Sequence, residues 1–127
     1  CACLVGSEMC IRDRYDDFVK ISEPIQKIRP DYPFEVKVRE PRKRPTRMGG
    51  TDASVFAIEG VPTLGFTTED FKGYDFDYGE IWHTERDLYT KNIPEYQEHT
   101  ATVTAIIALG VANLDKQLSR EGLYTEE

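Results

Sequence analysis

Regular patterning begins at Tyr15. Phe18, Ile21, Ile25 and Ile28 recur at spacings of three and four, which predicts one apolar face of an amphipathic helix. Ser22 and Pro24 interrupt it, so the pattern predicts two short helical turns with Ser22 as an internal N-cap. Pro30 and Pro33 end the run. Phe34 to Arg39 then alternates apolar with charged residues, predicting a strand with one buried face near a sheet edge. Gly49 and Gly50 free the backbone before Thr51 and Asp52, either of which can cap a short helix through Val55, Phe56 and Ile58 that stops at Gly60. Val61 to Phe66 reads as a short buried strand, with Pro62 near its start where a missing N–H is tolerated. Pro94 opens a last helix expected to reach about Leu118. One stripe of it carries Val103, Ile107, Val111, Leu114 and Leu118; a second, smaller one carries Ala101, Ala105, Ala108 and Ala112. The expected fold class is α/β: two strands, 34–39 and 61–66, flanked by helices.

Composition narrows the setting. The 127 residues fit one domain at most, and 39% hydrophobic residues suit a globular unit. A net charge of −7 argues against a general nucleic-acid partner. No apolar run approaches the roughly 18 residues that span a bilayer, so no membrane span is expected. The chain begins with Cys rather than Met and carries no signal-peptide pattern, so it is expected to be a piece of a longer protein whose address cannot be read here.

All three cysteines, Cys1, Cys3 and Cys10, fall in the first ten residues. They could form a metal clip, or one disulfide and a leftover, but the spacing from Cys3 to Cys10 lacks the short pairing of a structural zinc site. Leu4 to Arg14, LVGSEMCIRDR, resembles translated sequencing-adapter DNA. Residues 1–14 are therefore expected to be a non-native extension that packs on nothing, leaving 15–127 as the domain.

Chemistry is sparse. Of the two histidines, His99 lies beside Glu95 and Glu98 in the first turns of the last helix and is expected at the surface. His83 follows Ile81-Trp82 and precedes Thr84, Glu85 and Asp87. A histidine at a loop end, near a hydroxyl and carboxylates, suits a metal ligand or a general base, although one histidine makes no site. The loop 67–80 sets Glu69, Asp70, Asp75, Asp77 and Glu80 among Phe71, Tyr74, Phe76 and Tyr78. Loops of this length are often functional, and this one is expected either to receive a cationic, partly apolar substrate or to be solvated. EPRKRPTR, residues 40–47, reads as a solvated connection, having no interleaved aromatic residues for base stacking.

Three short motifs in order, from Gly49 to Asp87, resemble the C-terminal part of the M28 family of zinc peptidases, which includes aminopeptidases and carboxypeptidase Q-like enzymes. Thr51-Asp52 with Phe56 is similar to the family's Ser/Thr-Asp-His-x-x-Phe turn, Gly60-Val61-Pro62 to its strand entry, and Trp82-His83-Thr84 with Asp87 to its aromatic-His-Thr-x-x-Asp segment. Ala53 departs from the family's usual His. The resemblance covers roughly residues 15–120.

The resemblance implies the C-terminal part of a mixed-sheet, three-layer domain of a zinc exopeptidase. Metal-activated water attacks the peptide bond at two zinc ions in such enzymes. His83 matches the last zinc ligand. Asp52, Trp82, Thr84 and Asp87 match substrate-binding or supporting positions, and Trp82 stands where some members carry a Tyr hydroxyl. The other ligands and the general base lie upstream in the family, so the chain alone is expected to be inactive. The resemblance implies a peptide substrate and an extracellular or periplasmic setting. Two alternatives stay open. One is a glutaminyl-cyclase-like acyltransferase, whose family shares a Trp-His-Thr segment, and the other is a non-catalytic M28-like binding domain.

Overall fold

The structure, a computed structural model, describes residues 7–125, with side chains from Asp13 onward. Four α-helices follow one another in these residues: α1 (Ser7–Ile28), α2 (Ala53–Ile58), α3 (Tyr78–Ile81) and α4 (Pro94–Ala112), with a 3-10 turn at Tyr89–Lys91 before α4. The expected α/β class is overturned, and with it the mixed-sheet, three-layer arrangement. Helix makes up 42% of the chain and strand 2%, and no sheet forms among the described residues. The one bridge among the described residues pairs Arg42 with Tyr124 in parallel. The two expected strands are unpaired: residues 33–41 and 61–68 carry no helix, turn or bend, and no ladder joins them. Phe34 and Val36 are half-buried while Glu35 and Lys37 are exposed, so the period of two is kept. Glu35 and Lys37 pair on the outer side at 3.3 Å. Alternation sets which way side chains point; a ladder also needs a second backbone about 4.8 Å away, and neither segment supplies one to the other.

The core lies where α1 crosses α4, the one pair of elements that packs together among the described residues. Ile25 is fully buried against Val103 and Ile107, with Phe18, Ile21, Phe34, Ile106 and Val111 around them. Helix α1 runs unbroken through Pro24. Ser22 is not an internal cap: its hydroxyl donates to the Val19 carbonyl at 2.8 Å. An interior proline removes a helical bond and costs about 3 kcal/mol, which the buried Phe18-Ile21-Ile25 face offsets. The turn just after α1 is held by the Gln26 amide, which donates to the carbonyls of Arg29 (3.5 Å), Pro30 (3.3 Å) and Tyr32 (3.2 Å). Ile28, expected in the apolar stripe, is exposed.

Helix α4 starts at Pro94 as expected but stops at Ala112, six positions short of Leu118. Asn113 ends it, folding its side-chain amide back onto the Leu109 carbonyl at 3.0 Å. The alanine stripe is not the face that meets α1. Ala101, Ala105, Ala108 and Ala112 are all exposed, and the close approach is made at Gly110, where a Cβ would come within 2.2 Å of Ile21 Cγ2.

Helix α2 matches its expected span but not its expected cap. Asp52 sits at the N-cap position with helical backbone angles and makes no side-chain capping bond. Its end follows the sequence: Gly60 takes φ 70°, Val61 N–H reaches the Phe56 carbonyl at 2.9 Å, and Gly60 N–H reaches Ala57 at 3.0 Å. Arg44 donates to the Ile58 carbonyl at 2.7 Å. Most of the Glu40–Arg47 connection is exposed, as expected.

The expectation for residues 1–14 falls mainly outside what is described, including the side chains of Leu4, Val5 and Ile11. Helix α1 crosses the boundary at 14/15, and Arg14 donates to the carbonyls of Ser119 (2.9 Å) and Glu121 (2.8 Å). No helix among the described residues is long and apolar enough to cross a membrane.

Candidate functional site

The segment around His83 is built by α3, a single turn started by Asp77, whose carboxylate accepts from Gly79 N–H at 2.8 Å. Trp82 ends that turn, with its N–H on the Tyr78 carbonyl and its indole stacked over the Tyr78 ring at 6.3 Å. His83 follows in the left-handed region at φ 56°, an uncommon conformation for a side chain of this size. Its imidazole is exposed and tilts against Trp82, with ring centres 4.5 Å apart. The Thr84 hydroxyl is engaged locally: it donates to the Glu80 carbonyl at 2.6 Å and accepts from Arg86 N–H at 3.2 Å, so it organises the turn rather than the imidazole. Asp87 closes the turn through its own N–H to the Thr84 carbonyl at 3.2 Å and is exposed. Asp52 is exposed on the distant α2 segment. Trp82, His83, Thr84 and Asp87 are brought together only by chain proximity. Among the described residues no three His, Cys, Asp or Glu side chains converge on a point where a metal ion could sit. Zinc normally takes three or four protein bonds, so the donors described do not by themselves fit a zinc centre.

A tighter polar cluster lies where the 67–80 loop meets the start of α4. Asp70 is its hub on the loop side. One carboxylate oxygen accepts from Tyr74 N–H at 2.8 Å and from the Tyr96 hydroxyl at 2.6 Å, and the other accepts from Phe76 N–H at 3.2 Å. The Tyr96 hydroxyl in turn accepts from Lys72 N–H at 2.8 Å. On the helix side Glu95 pairs with the Lys72 ammonium and accepts from the Tyr74 hydroxyl at 2.8 Å. Lys72 also lies 4.6 Å above the Tyr32 ring. The Lys72 bond, with the Tyr32 and Tyr74 hydroxyls beside it, pulls the Glu95 carboxyl down to about 2. The same pair pushes Lys72 upward. The Tyr96 bond and the loop N–H groups hold Asp70 below its ordinary value despite its burial. Burial and the Asp70 carboxylate push the Tyr96 phenol up.

Most of this loop is therefore committed to structure. Asp70 ties the loop to itself and to α4, Asp77 caps α3, and Asp75, at φ 59°, pairs with Lys91 at 3.2 Å. The sequence marks the carboxylates and aromatic residues but not their partners, which lie 16 to 26 positions away. The expectation for His99 changes too. It is half-buried and stacks on Tyr32 at 4.4 Å, its Nδ1 has no hydrogen-bond partner, and burial together with Arg29 lowers its pKa. Adjacent Glu98 takes the surface role, pairing with Arg29 at 2.5 Å.

No protein-family model, no curated protein and no solved structure matches the chain.

Proposed function

We propose that the chain is part of the catalytic domain of a zinc-dependent exopeptidase, to which it contributes His83 as one metal ligand. The remaining ligands and the general base would come from outside residues 7–125. The observation that carries this reading is His83 itself. It sits at a helix end in a left-handed backbone conformation, with an exposed imidazole, inside a Trp-His-Thr-x-x-Asp segment that resembles the M28 family's last ligand motif. In the complete domain His83, with ligands from outside residues 7–125, would hold zinc, which would supply Lewis acidity there. The residues described here would do the positioning. The α3 turn, held by Asp77 and Thr84, would set the backbone that carries the imidazole, and the Trp82 ring lies against it. The exposed Trp82 indole N–H is a donor available to a substrate carbonyl. The reading carries with it a peptide substrate and the extracellular or periplasmic setting common in that family.

The test compares this chain, the protein extended on its N-terminal side, and the extended protein carrying His83→Ala. Zinc content is read by atomic absorption and turnover with amino-acid anilides. One imidazole is too few ligands for tight binding, so the chain alone should hold no stoichiometric zinc and hydrolyse nothing. The extended protein should do both. His83→Ala should lose one zinc and at least about a hundredfold in turnover. Full activity in that variant would remove His83 from the site and this reading with it. Trp82 also favours a second reading, acyl transfer of the glutaminyl-cyclase kind on a single zinc. Cyclisation of a peptide with an N-terminal glutamine, without anilide hydrolysis, would select it.

A further inference from the structure

The two unpaired segments 33–41 and 61–70 line two open hollows, which share Val36 to Arg39, Leu64 and Gly65 as walls and so adjoin as one open channel. Its first part, about 550 Å³, is walled by Phe34 to Arg39 and by Leu64 to Glu69, with Val103 and Ile107 of α4 in its lining. The second part, about 830 Å³, continues between Val36 to Lys43 and Pro62 to Gly65. Val38, Leu64 and Phe66 line it with half or nearly half of their surface open to solvent, at 52%, 49% and 45%. Among the described residues no backbone bond joins the two walls, and neither wall pairs with another segment before Arg42. Apolar side chains and backbone donors and acceptors are thus presented together, which is how an open strand edge presents itself to a partner.

Two observations say what the channel takes. Its wider part is lined by Arg14, Lys37, Arg39, Arg42, Lys43 and Arg47 against the single carboxylate of Glu40, a basic stretch in a chain of net charge −7. The one backbone pairing already made there is an isolated bridge from this chain's own C-terminal segment, just after the turn at Gly122. Tyr124 bridges Arg42 in parallel, and Thr125 N–H donates to the Arg42 carbonyl at 3.1 Å.

We propose that this channel is a docking site for an extended segment of a partner polypeptide. That segment is apolar at alternate positions and carries carboxylates at the end beside Arg42, Lys43 and Arg47. Main-chain bonds to residues 34–39 and 63–67 hold it, alternate apolar side chains fill the space between Val38, Leu64 and Phe66, and the basic end selects acidic partners. The inference does not rest on the peptidase reading, since His83 lines neither part of the channel.

The probes are synthetic peptides of alternating valine and threonine ending in three glutamates, the same peptide ending in three lysines, and the glutamate peptide N-methylated at alternate residues. Fluorescence anisotropy reads affinity, and amide hydrogen exchange reads the walls. The glutamate peptide should bind at least about tenfold more tightly than the lysine peptide at low salt, with the preference shrinking as salt rises. It should slow exchange at 34–39 and 63–67 by about tenfold or more. Lys43→Glu with Arg47→Glu, both exposed and outside the core, should reverse the preference. Phe66→Glu, also on an exposed site, should abolish binding without changing the helical circular dichroism. The proposal is overturned if the N-methylated peptide binds equally well, if the two tails bind alike, or if wall amides keep their exchange rates. It is also overturned if the protein alone sediments as a dimer with those amides already slowed, which would make a second copy the occupant.

Discussion

Gly110→Ala is a direct test of the crossing that holds this fold. In an exposed helix the change would stabilise by roughly 1 kcal/mol, because glycine is the costlier helical residue. Here the new Cβ would meet Ile21 Cγ2 at 2.2 Å, Cγ1 at 2.8 Å and Cβ at 3.0 Å. Ile21 is β-branched and stiff at χ1 on a helix, and its Cβ cannot rotate away, so α1 and α4 must move apart. Overpacking of this kind costs about 1–3 kcal/mol. Because even the Cβ is too close, the upper part of that range applies, and the net effect should be a loss of about 1–2 kcal/mol. In a chain of this size each kcal/mol moves the midpoint of melting by roughly 3–5 °C. The assay is urea and thermal unfolding followed by far-UV circular dichroism, with Ile21→Ala and the double variant completing a cycle. Ile21→Ala alone should cost about 2 kcal/mol for its lost packing. Adding Gly110→Ala to it should cost little further, since Cγ1 and Cγ2, the two nearest atoms, are gone and the remaining 3.0 Å approach of Cβ is offset by alanine's better helix propensity, giving a coupling of about 1–2 kcal/mol. A Gly110→Ala protein more stable than its parent would mean that α1 and α4 do not meet there.

Ile25 is fully buried between α1 and α4, so Ile25→Ala should destabilise by about 2–5 kcal/mol in urea unfolding. An effect below ~1 kcal/mol would place the core elsewhere. Glu95, held near 2 against an ordinary 4.5, binds protons more weakly folded than unfolded. Its contribution is therefore present above about pH 4.5 and lost as pH falls towards 2. The stability difference between the protein and Glu95→Gln should shrink over that window, and a difference unchanged down to pH 2 would refute the Lys72–Glu95 tether. His99 is depressed from 6.5 by burial, so its neutral form favours the fold. Stability should decline as pH falls from about 6.5 through its folded value, and His99→Gln should remove that slope.

What the sequence determined by itself is local. The i, i+3, i+4 spacing of Phe18, Ile21 and Ile25 placed the buried face of α1, Pro94 marked the start of α4, and Gly60 marked the end of α2, because each depends on neighbours within a turn or two. The alternation of Phe34 to Lys37 set which side chains turn inward. The tertiary structure alone decided whether that segment joins a sheet. Pairing requires a second backbone within bonding reach, and residues 64–66, though they line the same pocket, exchange no backbone bond with it. Distance along the chain also hid the cluster of Asp70, Lys72, Glu95 and Tyr96, whose partners stand 23 to 26 residues apart. His99, placed by charge at the surface, is turned inward onto Tyr32. The small residue that matters in α4 is Gly110 rather than the alanine stripe, because helical rotation about the crossing with α1 is set by which side chains interlock, not by composition along one helix. His83 stands out in the sequence and remains exposed in the structure, but a metal centre is a meeting of several distant side chains, and a lone imidazole on a turn shows only where such a meeting would take place.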